Sequence, residues 1–60
     1  MNYEKLNHCI ITTETLKRII NDPQLLLLNY VGETDFLIGY DVQLISGSVY
    51  RVYTKKEIKE

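Results

Sequence analysis

His8 and Cys9 are the one adjacent pair in this chain whose types could do covalent chemistry, an imidazole beside a thiol. A cysteine nucleophile needs a base whose ring reaches its sulfur. Neighbours on a strand point to opposite faces, and on a helix they diverge by about 100°. The pair therefore reads as a half-buried cysteine with a surface histidine. A metal cage finds no support either, because no second His or Cys is present to complete a ligand set.

The carboxylates Glu14, Asp22, Glu33 and Asp35 fall at caps and turns, where they have local structural work. Asp41 lies inside an alternating segment, within cross-strand reach of Arg51, and is expected to form an ion pair with it. Gly32, Gly39 and Gly47 are spaced by turns and strands, not as a phosphate cradle. Five tyrosines suit strands and recognition surfaces alike. The expectation is a chain with no catalytic residue, no cofactor and no metal.

Composition narrows the partners. Seven basic residues against eight acidic leave a net charge of −1, a poor basis for a phosphate-binding surface. The alternative of a small nucleic-acid-binding regulator would use Arg51, Lys55, Lys56 and Lys59 with stacking tyrosines. The longest apolar run, Leu25 to Leu28, is far short of the ~20 residues a membrane span needs. The N-terminal "MNYEKLNH" lacks a basic and then apolar leader, so a cytoplasmic location is expected. A lone thiol agrees with that compartment.

These residues need elements to position them. "TTETLKRIIND" reads as a short helix, capped by Thr12 or Thr13, with Leu16, Ile19 and Ile20 on one stripe. Asn21-Asp22-Pro23 stops it. The preceding "NHCIIT" suits a short strand, and the rival is one helix running from Tyr3 to Asn21. "QLLLLNYV" reads as a strand, although Asp22, Pro23 and Gly32 would also delimit a helix. "FLIGYDVQLI" alternates strictly, and "VYRVYT" returns after a turn at Gly47. The fold class is thus α+β: a single domain over 1–60 in the order β-α-β-β-β. One short helix packs on a three- to four-stranded antiparallel sheet.

Turn lengths decide the faces, because a one-residue slip reverses a strand. Three-residue turns at Ser46–Ser48 and Glu33–Asp35 keep polar residues together. One face then holds Leu26, Leu28, Tyr30, Phe36, Ile38, Tyr40, Val42, Leu44, Tyr50 and Val52 against the helix. The reverse face holds Leu25, Leu27, Val31, Leu37, Ile45, Val49 and Tyr53, with Asn29, Gly39, Asp41, Gln43 and Arg51 among them.

An open sheet face is ordinarily mostly polar, and seven apolar side chains make a surface of the size that marks interaction. One arrangement folds Tyr3, Leu6 and Ile10 back over it. The other covers it with a second copy, and that is the expectation taken here: a homodimer formed through the sheet. Its interface is expected at Leu25, Leu27, Val31, Leu37, Asp41, Ile45, Val49, Arg51 and Tyr53. Such a small non-catalytic module is expected to bind, modulate or inhibit another protein. The Lys, Ile, Asn and Tyr bias and the size suit bacterial or bacteriophage accessory proteins, the latter acting in the host cytoplasm. An inhibitor would offer its edge strands or the acidic turn "GETD" to its target.

Overall fold

A computed structural model describes residues 1–56. Six elements follow in order: α1 (Tyr3–Leu6), β1 (Cys9–Ile11), α2 (Thr13–Ile20), β2 (Leu25–Glu33), β3 (Leu37–Leu44) and β4 (Val49–Lys55). The strands form one sheet ordered β1-β4-β3-β2. It is an α+β arrangement, and residues 25–33 are strand, as the alternation argument requires.

The sheet is mixed, not antiparallel throughout. β2, β3 and β4 form an antiparallel meander, but β1 pairs with β4 in parallel. Connectivity explains the correction. A helical crossover returns the chain in its original direction, so β2 runs parallel to β1. Two hairpin reversals then bring β4 back to that direction, and β1 meets it in parallel.

Residues 3–12 divide between the two sequence readings. Tyr3–Leu6 is a single helical turn and Cys9–Ile11 a short strand, separated by His8 at φ +63°. The main helix starts at Thr12, whose hydroxyl oxygen accepts the Thr15 N–H at 3.1 Å. Its end is tied by Asn21, whose amide donates to the Lys17 carbonyl at 2.9 Å.

The core lies between this helix and one face of the sheet. Ile19, Val42 and Val52 are fully buried, with Tyr3, Ile11 and Leu44 nearly so. Leu16 packs beside them, but Ile20 points outward at 53% exposure. Tyr3 stacks on Tyr50 with centroids 5.8 Å apart. Its hydroxyl donates to the Asp22 carboxylate, which also accepts the Gln24 N–H at 2.9 Å. Burial and that carboxylate push the Tyr3 hydroxyl up to about 12, while the same bond holds Asp22 below its ordinary range. This bond ties the first turn to the end of α2.

Both hairpin registers differ from the expected ones by two residues, which leaves the faces of β3 and β4 intact. At the β3–β4 turn, Leu44 donates its N–H to the Ser48 carbonyl, and Gly47 donates to the Leu44 carbonyl, both at 2.9 Å. The loop is therefore Ile45-Ser46-Gly47, three residues long as expected but one position earlier. Gly47 at φ +95° dictates this, since such loops place their left-handed residue last. Asp41 consequently faces Arg51 directly, and Val42 faces Tyr50.

The β2–β3 turn is tighter than the expected Glu33–Asp35 loop. Thr34 donates its N–H to the Leu37 carbonyl at 2.8 Å, leaving only Asp35 and Phe36 at the tip. The Thr34 hydroxyl accepts the Leu37 N–H at 3.1 Å and holds this geometry. Phe36, expected in the core, is 68% exposed at the tip as a result. The odd register it creates is corrected by a bulge between Tyr30 and Gly32, where Gly32 takes φ +146°. A second irregularity between Leu25 and Leu27 reverses the strand's first residue. Leu25 pairs with Leu44 and joins the core, whereas Leu26 becomes 66% exposed. Leu25 is thus not a reverse-face residue, and Leu26 is not a core one.

Candidate interaction surface

The reverse face is built in rows across the sheet. Leu27, Gln43 and Val49 form one row, and Asn29, Asp41 and Arg51 the next. Gly32, Gly39, Tyr53 and Ile10 form the third, and Leu37 pairs with Lys55 beyond it. Alternation along each strand puts these residues opposite the helices. No helix of the described residues lies there, because α1 and α2 both pack on the other side.

The polar centre is the ion pair. The Arg51 guanidinium donates through Nε to Asp41 Oδ1, and Nη2 donates to Oδ2 at 3.4 Å. Asp41, with the Tyr53 side chain beside it, raises the Arg51 pKa above its already high ordinary value, so this cation stays charged at any working pH. The Arg51 backbone is held from the other side. Its N–H donates to Asn7 Oδ1 at 3.0 Å, and its carbonyl accepts the His8 N–H at 2.6 Å.

Apolar residues surround this pair. Leu27, Val31, Ile45, Val49 and Ile10 are each between 43% and 66% exposed, while Leu37 and Tyr53 are half-buried. The Tyr53 ring lies over Gly39, where a Cβ would stand 3.4 Å from it. Two glycines facing each other, Gly32 and Gly39, leave a shallow depression of about 170 Å3 bordered by Val31, Leu37, Arg51 and Tyr53. That is smaller than the ~300 Å3 at which ligand sites begin. An open trough of about 570 Å3 beside β1 is lined by Ile10, Ile11, Thr12, Thr13 and Lys55. Among the described residues that line it, Lys55 is the one with an ionisable side chain.

The expected interface residues are mostly brought together. Leu27, Val31, Leu37, Asp41, Val49, Arg51 and Tyr53 share the reverse face, and Ile45 sits at its rim in the loop. Leu25 is the exception, removed to the core by the bulge. The arrangement in which Tyr3 and Leu6 cover this face is ruled out for the described residues, since both pack on the core side. Ile10 does lie on the reverse face, but exposed.

His8 lies at the surface as expected, whereas Cys9, expected to be half-buried, is exposed as well. The Cys9 thiol donates to the Lys5 carbonyl at 3.2 Å. The acidic turn is partly neutralised, because Lys56 donates to Glu33 at 2.9 Å. That lysine, and then the Tyr30 hydroxyl, hold the Glu33 carboxyl below its ordinary range. Among the charged C-terminal residues, Glu57, Lys59 and Glu60 lie outside the described residues.

Sequence reasoning missed the Tyr3–Asp22 bond and the Asn7 contact with Arg51. Each joins positions distant in the chain, 19 and 44 residues apart, and carries no local signal. The signal it could have used was Gly47, whose required place in a three-residue loop sets the β3–β4 register. No helix of the described residues is long and apolar enough to cross a membrane. No family model, curated protein or solved structure matches this chain.

Proposed function

We propose that this chain is a non-catalytic interaction module that forms a homodimer through the reverse face of its sheet and modulates or inhibits another protein. The observation that carries the proposal is the exposure of Leu27, Val31, Ile45 and Val49 around a fixed Asp41–Arg51 pair. An apolar rim of this kind loses free energy to water in the monomer, at ~25 cal/mol for each Å2 left uncovered. A second copy related by a twofold axis supplies a matching surface. The ion pair is satisfied within each chain, so covering it strands no charge.

The target contact is assigned to the β2–β3 tip. Phe36 projects there beside Asp35, and Tyr30 lies near by, 55% exposed and edge-on to Tyr40. Aromatic side chains on a projecting turn fit a protein partner's pocket. A bacterial or bacteriophage accessory protein would use such a tip to block an enzyme. The regulator alternative is weakened because Arg51 and Lys56, two of its required cations, are bonded to Asp41 and Glu33.

The test has two parts. Light scattering of the wild type is expected to show at least twice the 7.1 kDa chain mass at micromolar concentration, and Ile45→Asp a smaller assembly than the wild type. A pull-down from bacterial lysate is expected to retain a stoichiometric protein that Phe36→Ser fails to retain. A wild-type monomer removes the dimer, and equal capture by both proteins removes the tip assignment.

A further inference from the structure

The outer edge of β2 presents a different kind of surface from the sheet's reverse face. In the β3–β4 ladder, Leu44 exchanges backbone bonds toward β4, and antiparallel pairing alternates. Even-numbered residues of β3 therefore bond β4, and odd-numbered ones bond β2. Asp41 and Gln43 face Asn29 and Leu27, so those two β2 residues spend their backbone groups on β3. The N–H and C=O of Leu28 and Tyr30 point away from the sheet, on an edge that no described element covers.

Edges of this sort are usually blunted by lysine, proline or very short length. β2 is nine residues long, and Leu25 to Val31 contains no charge. Its two irregularities, between Leu25 and Leu27 and between Tyr30 and Gly32, bracket a regular stretch centred near Asn29. They restrict the edge without closing it.

We infer that the β2 edge pairs antiparallel with the β2 edge of a second copy, with Asn29 on the twofold axis. One register uses all the free groups. Leu28 exchanges two bonds with the partner's Tyr30, and Tyr30 two with the partner's Leu28. Asn29 then meets the partner's Asn29, and Leu27 meets the partner's Val31. Every cross-strand pair is apolar on apolar or amide on amide, and no charge opposes a like charge. Shifting the register by two residues in either direction would call on Leu26 or Gly32, which the irregularities displace. The product is one continuous eight-stranded sheet with all helices on the same side. Its axis stands perpendicular to the sheet, whereas a face-to-face dimer has its axis along it. The two associations therefore use separate surfaces, and each stands without the other.

Disulfide trapping tests the register. In a Cys9→Ser background, which removes the native thiol, Asn29→Cys is expected to form a covalent dimer under oxidised glutathione. Directly opposed residues at a non-hydrogen-bonded site bring Cβ atoms to about 4.5–5.5 Å, close to what a disulfide spans. Leu27→Cys alone is expected to cross-link at least tenfold more slowly, and to regain the fast rate when mixed with Val31→Cys. Adding Ile45→Asp to Asn29→Cys separates the edge from the face, and the expected result is an unchanged rate. Equal rates for Asn29→Cys and Leu27→Cys, or loss of the Asn29→Cys link with Ile45→Asp, overturn the pairing.

Discussion

The two sides of this sheet are made from the same strands and nearly the same residue types, yet they meet opposite fates. On one side Val42, Leu44, Val52 and Ile11 disappear beneath Ile19, Leu16 and the stacked rings of Tyr3 and Tyr50. On the other, Leu27, Val31, Ile45 and Val49 stand 43% to 66% exposed around an ion pair. Two short helices are enough for one face only. The difference teaches that burial here is set by the supply of covering elements, and that strand composition does not decide it.

Substitutions at matched positions sharpen this contrast. The largest effect is expected in the core: Ile19→Ala should destabilise by about 2–5 kcal/mol, a large share of what so short a chain has. Urea unfolding monitored by circular dichroism measures it. Gly47→Ala comes next, since alanine at φ +95° is strained by roughly 1 kcal/mol or more. It also disturbs the loop that sets the β3–β4 register, and amide exchange of β3 and β4 would report that.

Tyr3→Phe should lower the melting temperature by a few degrees, through loss of the bond to Asp22. It should also change the pH profile. Tyr3 is raised in the folded chain from 10.0 to about 12, so its contribution is complete below pH 10.0 and is lost as pH climbs toward 12. Asp22 is lowered, so its contribution holds above its ordinary value of 3.8 and fades as pH falls below that. Melting curves of the wild type should therefore fall off at both ends, and those of Tyr3→Phe should lose the alkaline limb assigned to this group. The smallest effect belongs to the reverse face. Ile45→Asp should leave the stability of the isolated chain within about 0.5 kcal/mol, because an exposed loop position packs on little.

Much of this architecture was legible in the sequence. The alternation from Leu37 to Leu44 and the cap at Thr12 placed β3 and α2, and both turns fell close to where they were expected. What stayed hidden was set by single backbone events. The bulge beside Leu25 inverted one residue, and the tight Thr34 turn moved Phe36 from core to tip. Neither changes hydrophobic periodicity enough to be read along the chain. The parallel pairing of β1 was hidden for another reason: a three-residue strand has too few positions to show which partner it joins. On the reverse face, the residues were identifiable from the alternation, and eight of the nine expected interface positions lie on it or at its rim.

Sedimentation velocity of the wild type and Ile45→Asp side by side, at micromolar concentration, bears on the central claim most directly. The uncovered face predicts an assembly of at least two chains for the wild type and a shift toward the single chain for the variant. A wild type that sediments as one 7.1 kDa chain, indistinguishable from Ile45→Asp, contradicts it.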